Sequence, residues 1–189
     1  MRSTLTLFAA LALLSGCFGN SSRQAEPAHF DLGAAAIDLP QGPGVSAVEV
    51  SAPSWLAGSA MQYRLSHAEP ARRFDYADSR WVAPPAELLG KNLERRLASV
   101  EAGRCRLNIE LDELIQIFDS PELSRVTLAG RASLLGNTDV LARRSFAFAP
   151  TAPTADAKGG VVAAAIAVKA LGDEMAAWVA QIERCRKEQ

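Results

Sequence analysis

The sequence predicts an α+β domain in which two amphipathic helices pack on one face of a largely antiparallel sheet. Three observations carry this. Residues 107–148 alternate apolar and polar side chains between turn signals, as half-buried strands do. Two other segments, opening at Pro84-Pro85 and at Val161, repeat apolar residues every three or four positions. The element order is ββββ-α-βββ-α with no fixed-period repeat, so helices and strands segregate into layers. The 189 residues are 49% hydrophobic and 22% charged, which suffices for one cored domain and excludes wholesale disorder.

The elements follow in order. Residues 29–33 (HFDLG) give a first short strand, and the Pro40 and Gly42-Pro43-Gly44 cluster makes 34–44 a loop. Residues 45–50 form a second strand with Val48 and Val50 on one face, ended by Pro53. After a turn at Gly58-Ser59, residues 61–65 (MQYRL) and 72–76 (RRFDY) form two more, the latter with Phe74 and Tyr76 on one side. Pro84 keeps the chain extended and Pro85 suits a first helical turn, where no N–H is needed. Leu89, Leu93, Leu97 and Val100 line one helix face, and Gly103 is the expected stop.

Leu107, Ile109 and Leu111 then alternate with polar neighbours. The alternation slips near Glu113-Leu114, where a β-bulge is expected, and Ile115 and Ile117 resume it. Turns at 118–122 and 136–139 separate strands at 126–134 and 140–148, completing a three-stranded meander. Residues 150–160 read as a loop. A last helix over 161–184 presents Val161, Ala165, Val168, Leu171, Met175, Trp178 and Ile182 on one face.

The N-terminus speaks to compartment. Arg2 precedes about ten apolar residues, too few to span a bilayer. Leu14-Ser15-Gly16-Cys17 follows and resembles a bacterial lipobox, with small residues before a cysteine whose thiol receives diacylglycerol. That resemblance makes residues 1–16 a signal peptide, Cys17 the lipid anchor and 17–28 a polar tether to a domain over 29–189. More than one acyl chain, at about 0.8 kcal/mol per buried CH₂, makes such anchoring stable. Phe18 stands where an inner-membrane retention signal would place aspartate, which by analogy implies the outer membrane. Export would leave Cys105 and Cys185 in an oxidising compartment as one possible pair, either bridged or two buried thiols.

Candidate chemistry is sparse. The formal net charge of −1 argues against a nucleic-acid partner. The two histidines, His29 and His67, lack ligand spacing and read as surface or strand-edge residues, so neither a metal nor a cofactor is expected. No nucleophile, Walker or dinucleotide motif occurs. Glu110, Asp112 and Glu113 could form an acid/base set, but the strand face that Glu110 and Asp112 share is otherwise polar and reads as solvated. Arg64, Arg72, Arg73 and Arg80 interleave with Tyr63, Phe74, Tyr76 and Trp81. In an exported protein this mix suits edge protection or a protein contact better than a lipid headgroup.

One stretch carries a family pattern. Tyr63-Arg64, Tyr76, Arg80-Trp81, Pro84-Pro85, Leu88-Leu89, Leu93 and Leu97 follow a valine-rich strand ending in proline, and a strand meander and an alanine-rich helix with Trp178 come after. This pattern resembles the ABC-type transport auxiliary lipoprotein component family, the PqiC-like lipoproteins. The early His29-Phe30 departs from that family's usual aromatic pair, and the 40–44 segment shifts its early spacing.

The resemblance implies a non-enzymatic accessory that works with an ABC permease, an ATPase and an MCE-type substrate-binding protein in lipid movement across the envelope. Trp81 with the diproline, and Trp178, are then expected in the core. Exposed surface at Trp55-Leu56, with Tyr63, Arg64, Arg72 and Arg73, would meet that partner or a sister subunit. Two competing roles are an assembly factor for another outer-membrane component and a periplasmic hydrolase with an unrecognised site.

Overall fold

The computed structural model describes residues 26–33, 45–98 and 105–185. The signal, Cys17, the tether before residue 26, the 34–44 loop, and the expected Val100 face and Gly103 stop lie outside these residues.

The sheet is built around one long strand. β1 (Ala28–Phe30), β2 (Ala47–Ser51), β3 (Ala60–Leu65) and β4 (Phe74–Trp81) precede helix α1 (Pro85–Leu97). Then come β5 (Arg106–Phe118), β6 (Ser124–Leu135), β7 (Val140–Phe148) and helix α2 (Ala157–Gln181). At 13 residues, β5 spans about 43 Å, long enough for two partners on one edge. β2 pairs in parallel with Arg106–Glu110 and β3 in parallel with Gln116–Phe118, so the two act as one strand interrupted at residues 52–59. The other edge of β5 runs antiparallel to β6 throughout, and β6 to β7. β4 continues the sheet antiparallel to β3, and β1 closes it in parallel with β4. The long ladders are antiparallel, and the parallel pairings are short.

Both helices bury their apolar stripes against one side of this sheet. Leu89, Leu93 and Leu97 of α1 meet Leu107, Ile109 and Leu111 of β5 and Leu128, Ala132 and Leu134 of β6 in one core, which Val168, Leu171, Met175 and Trp178 of α2 complete. Trp81 and Trp178 are buried there, as expected.

Several boundaries differ from those expected, each for a local reason. α1 ends at Leu97 because the Val45 amide donates to the Leu97 carbonyl (2.9 Å) and Ala98 turns extended to bridge Val45. α2 begins four residues early because the Asp156 carboxylate caps it, accepting from the Gly159 amide at 2.7 Å. β4 starts at Phe74 and runs on to Trp81. Its register with β3 jumps between Gln62↔Asp75 and Ala60↔Arg80, so residues 76–79 bow out and hide the alternation. The Arg80 guanidinium ties that bow to the carbonyls of Tyr76 and Ser79.

The bulge in β5 lies between Leu111 and Glu113, close to where the pattern slips. Its effect on facing is the reverse of the expectation. The helix-facing positions change from 107, 109 and 111 to 114, 116 and 118, so Ile115 and Ile117 lie on the opposite face. Ile115 is nevertheless only 2% exposed.

Cys105, just before β5, is bridged to Cys185 in the 3₁₀ turn after α2, with Cα atoms 5.3 Å apart. The bridge spans 80 positions and closes β5, β6, β7 and α2 into one covalent loop. On the chain-entropy account a loop of that size stabilises by roughly 4–5 kcal/mol. Replacing both cysteines by serine should therefore lower the urea midpoint, with a loss of about 2–5 kcal/mol. Thiol labelling of the unreduced, unfolded protein should modify neither residue, and labelling at both would show that no bridge forms.

Candidate functional site

Strand alternation divides the arginine-rich segment between the two faces of the sheet. Tyr63 points to the helix side, and Gln62 and Arg64 point to the side that carries no helix. The six residues expected to form one contact surface therefore form two.

On the open face, the interruption between β2 and β3 presents Trp55, which is 53% exposed. Its neighbour Leu56 turns the other way and is 3% exposed, part of the core. This corrects the expectation that both are surface residues: a one-turn 3₁₀ helix at Ser54–Leu56 sends consecutive side chains in different directions. The Gln62 amide donates to the Trp55 carbonyl (3.0 Å) and so holds the turn. Arg73 lies with its guanidinium 5.8 Å from the Trp55 ring centroid, donates to Gln62 Oε1 (3.1 Å) and pairs with Glu113. Arg64 sits in register with Ile117 of β5, which is in turn opposite Arg125 of β6. Arg125 donates to both oxygens of Asp119. Arg64 makes no hydrogen bond or ion pair among the described residues, and its Nε is fully buried without an acceptor. Glu113 Oε2 is likewise buried and unpaired.

On the helix side, Tyr63 stacks on Phe74 (5.1 Å between centroids) and meets Tyr76 and Phe118. Arg72 lies 4.3 Å over Phe74 and pairs with Glu69. This half-buried cluster abuts a crevice lined by Met61, Tyr76, Trp81, Val126, Gly160 and Ala164. Gln116 forms its polar floor. Its Oε1 accepts from Tyr76 Oη (2.9 Å), and its Nε2 donates to Ser124 Oγ (2.8 Å) and to the Asp156 carbonyl (3.0 Å). Gly160 packs so closely on this amide that a Cβ would collide with Gln116 Oε1. Sequence reading missed the network. A glutamine at every-other spacing between Leu114 and Phe118, and two glycines opening an alanine-rich helix, were the available signals.

Burial raises the Tyr76 phenol far above its ordinary value, with the neighbouring Tyr63 adding to the effect, so Tyr76 stays a neutral donor. The Asp156 carboxyl is held below the usual range, chiefly by the Gly159 amide and then by the Thr154 hydroxyl. Asp173 is also lowered, first by its hydrogen bond from Lys169 and then by Arg96 of α1.

The remaining candidates lie apart from both clusters. Glu110 and Asp112 share Arg131 on the open face (3.1 Å each), and Glu113 pairs with Arg73, so the carboxylate trio is an ion-paired surface. His29 is exposed on β1, and His67 Nδ1 lies 3.2 Å from the Phe118 carbonyl.

The chain matches no known protein-family model and no curated protein. Its fold is similar to solved structures. An uncharacterised protein superposes with a TM-score of 0.65 at 15% identity, covering 82% of this chain and 99% of that one. A protein of family DUF330 from Xanthomonas campestris gives a TM-score of 0.64 at 20% identity, covering 82% of this chain and 92% of that one. The α+β architecture is thus shared with solved proteins across nearly their whole length.

Three predictions follow from the packing and the charges. Tyr76→Phe removes the donor to buried Gln116 Oε1 and should cost about 1–3 kcal/mol of unfolding free energy. Gly160→Ala should cost a similar amount or more, because the collision is with a side chain fixed by three hydrogen bonds. For Asp156 and Asp173 the folded-state pKa is lowered, so their stabilisation is complete above the ordinary carboxylate range. It is lost as pH falls through the lowered folded values. Thermal midpoints followed from pH 7 down to pH 2 should fall steeply for the natural protein and less steeply for D156N/D173N.

Proposed function

We infer that the protein is an envelope lipoprotein, anchored through Cys17 to the outer membrane and facing the periplasm. Its domain serves as a non-catalytic accessory of an MCE-type ABC system that moves lipids across the envelope. The observation that carries this reading is the Leu14-Ser15-Gly16-Cys17 sequence after a short apolar stretch, upstream of the family-like pattern at residues 61–97. The Cys105–Cys185 bridge supports it, since structural disulfides persist in oxidising compartments. Among the described residues no helix is long and apolar enough to cross a membrane, so attachment in this reading rests on the lipid. The partner is the MCE-domain substrate-binding protein, and the surface offered to it is the open face around Trp55, Arg64 and Arg73.

Cys17→Ser should move the protein from the membrane fraction to the soluble periplasmic fraction; retention on the membrane would overturn the anchor. Affinity purification from native cells should recover an MCE-domain protein whose gene neighbours a permease and an ATPase. Recovery of a tightly bound outer-membrane barrel, without those neighbours, would replace the transport role with that of an assembly factor.

A further inference from the structure

We propose that the protein forms a two-fold symmetric dimer through the solvent side of α2, with two copies of the helix packed antiparallel about Leu171. The proposal goes beyond the accessory reading and does not depend on it.

The case begins with a contrast between the two helices. Every exposed residue of α1 is charged: Glu87, Lys91, Glu94 and Arg95. In the 25 residues of α2 only Lys158, Lys169, Asp173 and Glu174 are charged. Its outer side shows Val162 and Ile166, each about half exposed, followed by alanines. A helix that is apolar on its outer side as well as its inner one is normally covered on both. The exposed row is also periodic. Val162, Ile166, Lys169, Asp173, Ala176 and Ala180 are all exposed, at alternating spacings of four and three. That is the 3.5-residue period of a coiled-coil seam, and the positions on the opposite side of the helix, Ala164, Leu171 and Trp178, are buried in the core.

The order of residues along the row selects the partner. The row is balanced about Leu171, so an antiparallel second copy sets Val162 over the partner's Ala180, Ile166 over the partner's Ala176 and Lys169 beside the partner's Asp173. Each bulky side chain meets a small one, as in helices that interdigitate closely, and each cation meets an anion. A parallel copy would instead oppose Lys169 to Lys169 and Asp173 to Asp173. Sliding the antiparallel copy by one heptad would set Val162 over Asp173, or Lys169 over Ala180. Polar residues in mid-seam fix register and direction in this way, at some cost in stability. Within one chain Lys169 already pairs with Asp173 (2.8 Å), and Arg96 of α1 donates to the other oxygen of that carboxylate. Both side chains remain more than half exposed, so a second pair can join them. Two lysines and two aspartates then surround the symmetry axis. A membrane surface or an unrelated protein gives no reason for a row balanced in both size and charge, whereas a two-fold contact requires a self-complementary patch.

The test uses the full-length protein in detergent micelles. Its protein mass, measured by light scattering with the detergent contribution removed, should rise from one chain to two as concentration increases. I166E, a change at an exposed position, should raise the dissociation constant at least about tenfold, the equivalent of roughly 1.4 kcal/mol, with an unchanged circular dichroism spectrum. Orientation is read from disulfide trapping of I166C/A176C under mild oxidation. Positions 166 and 176 of one helix lie about 15 Å apart, beyond the reach of a disulfide, so a bond joining them forms only between copies. The double variant should give a covalent dimer carrying that bond, and I166C or A176C alone should not. A monomeric mass at every concentration, a larger assembly unaffected by I166E, or a bond joining position 166 to position 166 would each overturn the proposal. So would a monomer whose binding to phospholipid vesicles is lost in I166E, an outcome that assigns the row to a membrane surface. Failure here leaves the lipid anchor and the MCE-domain partner standing, and their failure leaves the dimer.

Discussion

One inserted residue in β5 governs the arrangement of both faces. β5 is paired along both edges, with β6 on one and with β2 and β3 on the other, so any change in its facing spreads to its neighbours. Between Leu111 and Glu113 the register with β6 shifts by one, and every later side chain of β5 changes sides. Gln116 is thereby turned toward the N-terminus of α2, where Asp156 and Ser124 receive its amide. Glu113 is turned to the open face, where it holds Arg73. Were all thirteen residues paired in a regular ladder with no bulge, Gln116 would face the open side and Ile117 would lie under the helix. The polar floor of the crevice would go, and so would the acid that orders the Trp55–Arg73 patch.

The elements that were legible in the sequence are those whose signals are local. The β5–β7 meander shows its alternation and turn residues over short spans, and Pro84-Pro85 marks the start of α1 unaided. Burial of Trp81 and Trp178 follows from residue type and spacing. What was not legible depends on partners distant in the chain. α1 stops because Val45, far upstream of Leu97 in the chain, takes its last carbonyl. The parallel pairings of β2 and β3 with β5 leave no mark on any of the three strands. The bulge could be suspected but not its consequence, because isoleucines at 115 and 117 look more core-like than the glutamine at 116 that displaces them.

The candidate site was legible in composition and not in geometry. Tyr63, Arg64, Arg72 and Arg73 stand out as an aromatic and cationic mixture, yet adjacent strand residues face opposite ways. Tyr63 and Arg72 belong to the ring cluster by the crevice, while Arg64 and Arg73 belong with Trp55. The split gives β3 two duties in successive residues. A substitution that shifted its register would disturb both surfaces together, so defects at one cannot be assigned without checking the other.

The strand nearest the N-terminus also has a mechanical meaning. β1 holds to the sheet through three residues in parallel with β4, plus the bond from the Val82 amide to the Phe30 carbonyl. The segment from Cys105 to Cys185 is locked by a covalent bond. Tension applied to the chain ahead of residue 28 meets β1 first and the disulfide-closed body last. Peeling residues 28–33 free would release roughly 20 Å of extended chain. β1 is thus a short strip that yields before the body of the sheet bears load.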